Sequence, residues 1–297
     1  MPVDTSDVFG VPFDLPEGQS SDAASVGDVW VLSADGRETG VVLVAAVRPN
    51  HVLAWPITNP SLHATAPAFQ IMLPTGERLV VWPDAEFGLS MAALDRRLAS
   101  AVLNDRTLRS IRWSMPSGEV VEGVQTCPMS ESEEAEAAFA AVCLSAWSMG
   151  DWSWPNAHEG VGVIRQEVLR EAGVEARDLA RQLDVKPLRA SGLARGEKVP
   201  DRDEIARMIQ LFPEGTTPMD ILRPPDGDEA QVLSMPEFKE RIRHLALVRS
   251  LNESEARSQV WEAARSNAAR QSAHVNQVEA ARARVAYAIE SLLAGHE

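Results

Sequence analysis

The sequence predicts an α+β multidomain chain: a small N-terminal β-barrel with a covering helix, a central unit of five short helices, and a long C-terminal helix. Three observations carry this. Short runs rich in Val, Leu and Trp, separated by turn signals, crowd residues 26–82. Between Val161 and Leu222 the apolar residues switch to a helical period, punctuated by Gly, Asp and Pro. From Phe238 onward the pattern stays helical. The expected divisions are a disordered acidic tail (1–25), the barrel (26–113), a hairpin and acidic helical connector (114–160), the five-helix unit (161–224) and a helical C-terminal region (225–297).

The strands are Asp28–Leu32, Val41–Val47, His51–Ile57, Phe69–Leu73 and Arg78–Trp82. Tight turns such as Ala34-Asp35-Gly36 and Pro74-Thr75-Gly76 join them, as in a strongly bent antiparallel sheet or barrel. Residues 90–103 place Met91, Leu94, Leu98 and Val102 on one helical face, which suits a cover for an open end. Gly88-Leu89-Ser90-Met91-Ala92 loosely echoes a nucleophile elbow, but Ser90 reads as the cap of that helix. A hairpin turning at Ser117-Gly118 follows Trp113. Ser130-Glu131-Ser132-Glu133 then opens a helix with Phe139, Val142, Cys143, Ala146 and Trp147 inward. Trp147, Trp152 and Trp154 read as buried packing, with a ligand pocket as the alternative. Asn252 and Gly295 bracket the last helix, ~60 Å long at 1.5 Å per residue if continuous. Spacings of four and three give it the seam Val260, Ala264, Asn267, Gln271, His274, Val278, Ala281, Val285, Ala288 and Leu292. Such a seam supports either a homodimer of coiled-coil type or packing of the helix against the rest of its own chain.

Charge is distributed unevenly. The chain carries a net −15, yet residues 1–160 hold 8 Lys+Arg against 21 Asp+Glu, whereas 161–198 hold 8 against 6. A basic face can therefore exist on an acidic molecule, with modest and salt-sensitive attraction to nucleic acid. No apolar run approaches the ~20 residues that cross a bilayer, and the acidic N-terminus is no export signal. A cytoplasmic protein without membrane contact is expected. Cys127 and Cys143, sixteen apart, fit no metal or redox spacing, and the six histidines are scattered. No cofactor or metal is expected.

Leu179-Ala180, Val185 ahead of the third helix, Leu193 three residues before Gly196 in Arg195-Gly196, and Ile221-Leu222 occur in the order seen in Cro/cI-type repressors. Residues 161–224 resemble the helix-turn-helix domain of that family. Ala180 is small where two helices must cross closely, and Val185 plugs the core between them. The resemblance implies that helix 3 enters the major groove of double-stranded DNA, with Lys186, Leu188, Arg189, Arg195 and Lys198 as the DNA-binding residues. The chain departs from the family at Ala176, where a glutamine usually grips phosphate. Pro187, Leu188 and Gly192 occupy the base-reading positions, and Ala194 replaces an acidic residue. None of the base-reading three carries a side-chain donor or acceptor.

Gly27-Asp28-Val29-Trp30, the strands after it, and Pro56-Ile57-Thr58 resemble the MazF/PemK toxin family over residues 26–103. That likeness implies an SH3-like barrel with an RNA cleft, here containing Arg37 and Thr58. The family's catalytic arginine before the second strand is absent; the chain reads Glu38-Thr39-Gly40-Val41 there. Without a cation the charge on a phosphorane-like transition state goes unstabilised, so no enzyme is expected. The reading is a DNA-binding transcriptional regulator in a toxin–antitoxin-like or phage-related setting. Its barrel would bind a ligand, or a protein partner through the acidic half. The alternatives are a MazF-type RNase toxin fused to a DNA-binding domain, and a non-catalytic interaction hub.

Overall fold

All five strands read from the sequence are present in the computed structural model: β1 (Val29–Ala34), β2 (Arg37–Val47), β3 (His51–Thr58), β4 (Phe69–Met72) and β5 (Arg78–Val81). The structure describes residues 23–60, 62–114, 121–155, 162–268 and 277–295; most of the acidic tail and the Ser117-Gly118 hairpin turn lie outside them. Three further strands join the sheet, β6 (Phe87–Ser90), β7 (Leu94–Ala99) and β8 (Gln125–Thr126). The antiparallel order is β7-β1-β2-β3-β5-β4-β8, with β6 beside the first half of β3. The end strands β7 and β8 do not pair, so the sheet is open and the expected closed barrel is corrected. The edge of β3 is shared: His51–Ala54 take β6 while Ile57 and Thr58 take β5. The sheet thus branches instead of curling back on itself.

The covering helix expected at 90–103 is a second correction. Ser90 does act as a cap, accepting from the Ala92 amide at 3.3 Å, but the turn it caps is a single 3-10 turn, Met91–Ala93. Leu94–Ala99 then continues as β7 along the edge of β1. A long-range ladder overrides the local helical spacing, as tertiary context commonly does for half-buried segments. The helices that do cover the sheet are α1 (Asp105–Ser114) and α2 (Glu133–Asp151), the latter capped by Ser132.

Alternation along β1 and β2 sends Val29, Val31, Val41 and Leu43 to one face, with Leu108 and Ile111 of α1. Trp30, Leu32, Val42 and Val44 go to the other, with Ala146 and Met149 of α2. A sheet covered on both sides needs runs that are apolar throughout, which is why Val41–Val47 does not alternate with polar residues. The Gly27-Asp28 pair anchors its start. A Cβ on Gly27 would meet the Leu103 carbonyl oxygen at 1.9 Å, and its φ is +86°. The buried Asp28 carboxylate accepts from the amides of Ser25 and Ala101 at 3.0 and 3.1 Å. Met235–Glu240 returns to this first unit. There the buried Lys239 ammonium donates to the Ser33 and Ala92 carbonyls at 2.7 and 2.8 Å and lies 4.8 Å from the Trp152 ring centre. Of the three tryptophans expected to pack together, Trp147 is 77 % exposed and Trp154 is buried in the second unit.

The second unit comprises Trp154–Ser234 and residues from Arg241 onward. Its first five helices fall where the sequence places them: α3 (Gln166–Glu171), α4 (Ala176–Leu183), α5 (Pro187–Ala194), α6 (Arg202–Met208) and α7 (Pro218–Ile221). Their shared core is built on Leu169, Leu179, Leu193, Ile205, Met208 and Ile221. A two-residue ladder of β9 (Val163–Ile164) with β10 (Leu222–Arg223) ties the ends of this stretch. Four helices follow, α8 (Asp228–Leu233), α9 (Lys239–Arg249), α10 (Glu253–Ala268) and α11 (Gln277–Ala294).

The single helix expected from Glu253 to Ala294 is therefore two helices that pack on each other. Val260, Ala264, Ala281, Val285 and Ala288 of the expected dimer seam are fully buried within the chain. Each apolar stripe finds its partner in the neighbouring helix. Gln271 and His274 lie outside the described residues.

The buried ion pair of Arg257 with Glu253 (3.0 Å) supports this bundle, and the Arg257 guanidinium also donates to the Leu233 carbonyl at 3.2 Å. Removing one member strands a buried charge, at about 3–5 kcal/mol. Arg257→Met should lower the unfolding free energy of the helical unit, measured by urea denaturation, by that amount, and the double change Glu253→Leu/Arg257→Met should recover most of it.

Candidate functional site

The segment α4–α5 holds the residues that the sequence assigns to DNA. Glu175 and Asp178 form a reciprocal capping box that starts α4, and Leu179 and Leu183 anchor its inner face. Asp184, at φ 54° and ψ 47°, ends the helix in the left-handed region that aspartate tolerates better than most residues. Val185 packs inward, and Lys186 is the N-cap of α5 with Pro187 at its first position. Pro at that position costs no hydrogen bond, because the first helical amides have no acceptor inside the helix. Ala190, Gly192 and Leu193 are buried, so only the N-terminal turn of α5 stands clear: Lys186, Pro187 and Leu188 are exposed, Leu188 by 81 %.

The cations around that turn are not equivalent. The Arg189 guanidinium makes two 2.7 Å hydrogen bonds to the buried Glu204 carboxylate and a third to the Val199 carbonyl at 3.2 Å. Those bonds hold the Arg189 pKa above its ordinary value. Lys198 pairs with Glu262 of α10 at 2.6 Å, and Glu262 also accepts from the Val199 amide. The aliphatic stem of Lys198 lies over Gly192, where an added Cβ would meet Lys198 Cγ at 2.7 Å. Arg195 is half exposed and paired through two bonds of 2.7 and 2.8 Å with Glu197, whose carboxyl it holds below the usual range. Lys186 alone of the four has no ion-pair partner among the described residues. Arg181 on α4 adds a further exposed cation, held only loosely by Asp178 at 3.5 Å.

The two residues expected to form a cleft in the first unit are not brought together. Arg37 is exposed at the start of β2, opposite Ala34. Thr58 is buried at the end of β3, where its hydroxyl accepts from the Trp82 indole at 2.8 Å. Val41 faces Ile57, so Arg37 lies three residues beyond the level of Thr58, about 10 Å along the strand.

Burial raises the thiol pKa of both Cys127 and Cys143, the reverse of what activates a nucleophile. Among the described residues no group of three His, Cys, Asp or Glu side chains gathers as metal ligands do, and no helix is long and apolar enough to cross a membrane. No family model, curated protein or solved structure matches the chain.

Sequence reading found the exposed turn but missed what restrains its neighbours. Asp201 and Glu204 are legible as the capping box of α6, which they form. That the same Glu204 receives Arg189 from fifteen residues earlier has no local signal. Glu204→Gln should cost the unit about 2 kcal/mol, since it weakens charge-assisted bonds to a half-buried arginine. Chemical denaturation followed by circular dichroism measures it.

Proposed function

We propose that this chain is a DNA-associated regulator whose second unit docks on double-stranded DNA through the first turn of α5. The observation that carries the reading is the exposure of Lys186, Pro187 and Leu188 at the start of a helix whose other residues are buried or half-buried, with the Lys186 ammonium uncommitted among the described residues. A short helix that offers only its N-terminal end suits insertion into a major groove. The resemblance of residues 161–224 to Cro/cI-type repressors supports the same reading.

The phosphate contacts assigned here are Lys186, Arg181 and, once it exchanges Glu197 for phosphate, Arg195. Arg189 and Lys198 serve the fold instead. Contacts to phosphate position a protein without reading sequence, and the exposed turn carries no group for the major-groove code beyond the apolar Leu188. Affinity is therefore modest, nearly independent of sequence, and steep in salt. The first unit acts as the partner-binding half of the regulator, in a toxin–antitoxin-like or phage-related setting.

Lys186→Glu should weaken binding to any duplex about tenfold or more at low salt and reduce the salt slope by about 1. Fluorescence anisotropy on two unrelated duplexes tests this, and equal affinity of variant and parent would overturn the DNA reading. The RNase reading finds less support, because Thr58 is committed to Trp82 and Arg37 lies apart from it. Single-stranded RNA incubated with the purified chain should remain intact on a denaturing gel.

A further inference from the structure

We propose that the first unit carries, between the turn after β5 and the start of α2, a docking site for an arginine-bearing segment of a partner protein. The inference does not depend on the DNA reading, since it uses other residues in the other unit. The cleft measures about 160 Å³ and is lined by Thr65, Pro67, Trp82, Asp84, Glu136 and Phe139, among others. Phe139, 36 % exposed, gives the cleft its aromatic face and the buried Trp82 ring backs it, with ring centres 6.3 Å apart and planes 27° from parallel. The Trp82 indole is fixed from behind by its bond to Thr58, so the backing is set before anything binds. Across the mouth, the Thr65 hydroxyl and the Ser130 main chain hold each other at 2.8 and 3.2 Å. Asp84 and Glu136 supply two carboxylates that have no hydrogen-bond or ion-pair partner among the described residues.

These features select the occupant. The Asp84 side chain reaches solvent, yet its walls withdraw enough water to raise its carboxyl pKa. A cation seated there would relieve that cost. Carboxylates exclude phosphate, and the aromatic rings favour a flat cation with apolar faces and donor edges. Guanidinium has both: it stacks on indole and phenyl rings and reaches carboxylates with its N–H groups, whereas ammonium is a compact, strongly hydrated point charge. The volume suits one side chain, so the rest of the segment would run over the surface. The exposed Glu133 and Glu134 of α2 lie next to the cleft in sequence, and residues 1–160 carry a net −13. That field steers a basic segment toward the site and repels an acidic one.

The test uses the full chain and a labelled eight-residue peptide with two arginines, alongside its lysine and citrulline counterparts, at low salt. The arginine peptide should bind more tightly than the lysine peptide, and the citrulline peptide should not bind. Asp84→Asn and Phe139→Ala should each weaken binding about tenfold, the range for losing a charge pair or an aromatic cation contact. Glu122→Gln, which removes the same charge elsewhere in the unit, should change it less than about twofold if the cleft and not the general field is responsible. Circular dichroism checks that each variant is folded. Absence of binding, or equal losses at Glu122 and Asp84, overturns the proposal. Agmatine competing as tightly as the peptide also overturns it, because the site would then serve a small organic cation and not a protein segment.

Discussion

The second unit turns on one carboxylate. Glu204 is almost fully buried, and its oxygens accept from the Asp201 amide and from two nitrogens of Arg189 while its own amide donates to Asp201. The same group therefore starts α6 and fastens α5 to it. A buried carboxylate is tolerable only when its lone pairs are filled, and here a cap and an ion pair fill them together. The consequence reaches the surface. With Arg189 drawn inward, α5 is held at a fixed angle to α6, and its first turn alone faces out. Lys198 is drawn off in the same way by Glu262, which extends the clamp to α10.

The first unit follows a comparable rule with different parts. Its sheet is apolar on both faces, so charged groups that enter need partners of their own. Asp28 is satisfied by two amides, and Lys239 by two carbonyls and an indole face. Both lie at the margins of the sheet, Asp28 before β1 and Lys239 against the ends of β1 and the 3-10 turn. The open order of strands leaves β7 and β8 as edges. Arg96 of β7 pairs with Glu38 of β2, and β8 is only two residues long. A charged edge and a short edge both discourage pairing with another chain.

What the sequence revealed and what it hid divide along contact distance. The five helices of 166–221 were legible because caps, glycine stops and helical spacing are local signals that tertiary structure left in force. The five first strands were legible for the same reason. Residues 90–103 were misread because Met91, Leu94, Leu98 and Val102 satisfy helical spacing, and only the presence of the β1 edge decides otherwise. That Glu253–Ala268 and Gln277–Ala294 pack on each other was hidden because alanine-rich, polar sequence supports one continuous helix as well as two. At the candidate site, exposure of Lys186 and Leu188 was readable from the short helix they begin. The restraint on Arg189 and Lys198 was not, since Glu204 and Glu262 lie 15 and 64 residues away.

The same separation explains why charge counts mislead about partners. Residues 161–198 hold an excess of cations, but Arg189 and Lys198 spend their charge on buried or half-buried carboxylates of this chain. A charge so paired adds little to the field outside, because its partner cancels it at short range. What remains near the tip of α5 for an anionic partner is Lys186, with the loosely held Arg181 of α4 beside it in sequence. In the first unit the balance runs the other way. Residues 1–160 hold only eight cations against twenty-one acids, and Arg96, Arg109 and Arg112 are already paired, so acids such as Asp84 and Glu136 are left over. An excess that cannot be neutralised internally must be answered by counterions or by a basic partner. Two units of one chain thus present opposite local charge for one reason: intrachain pairing is settled first, and only the remainder is available for recognition.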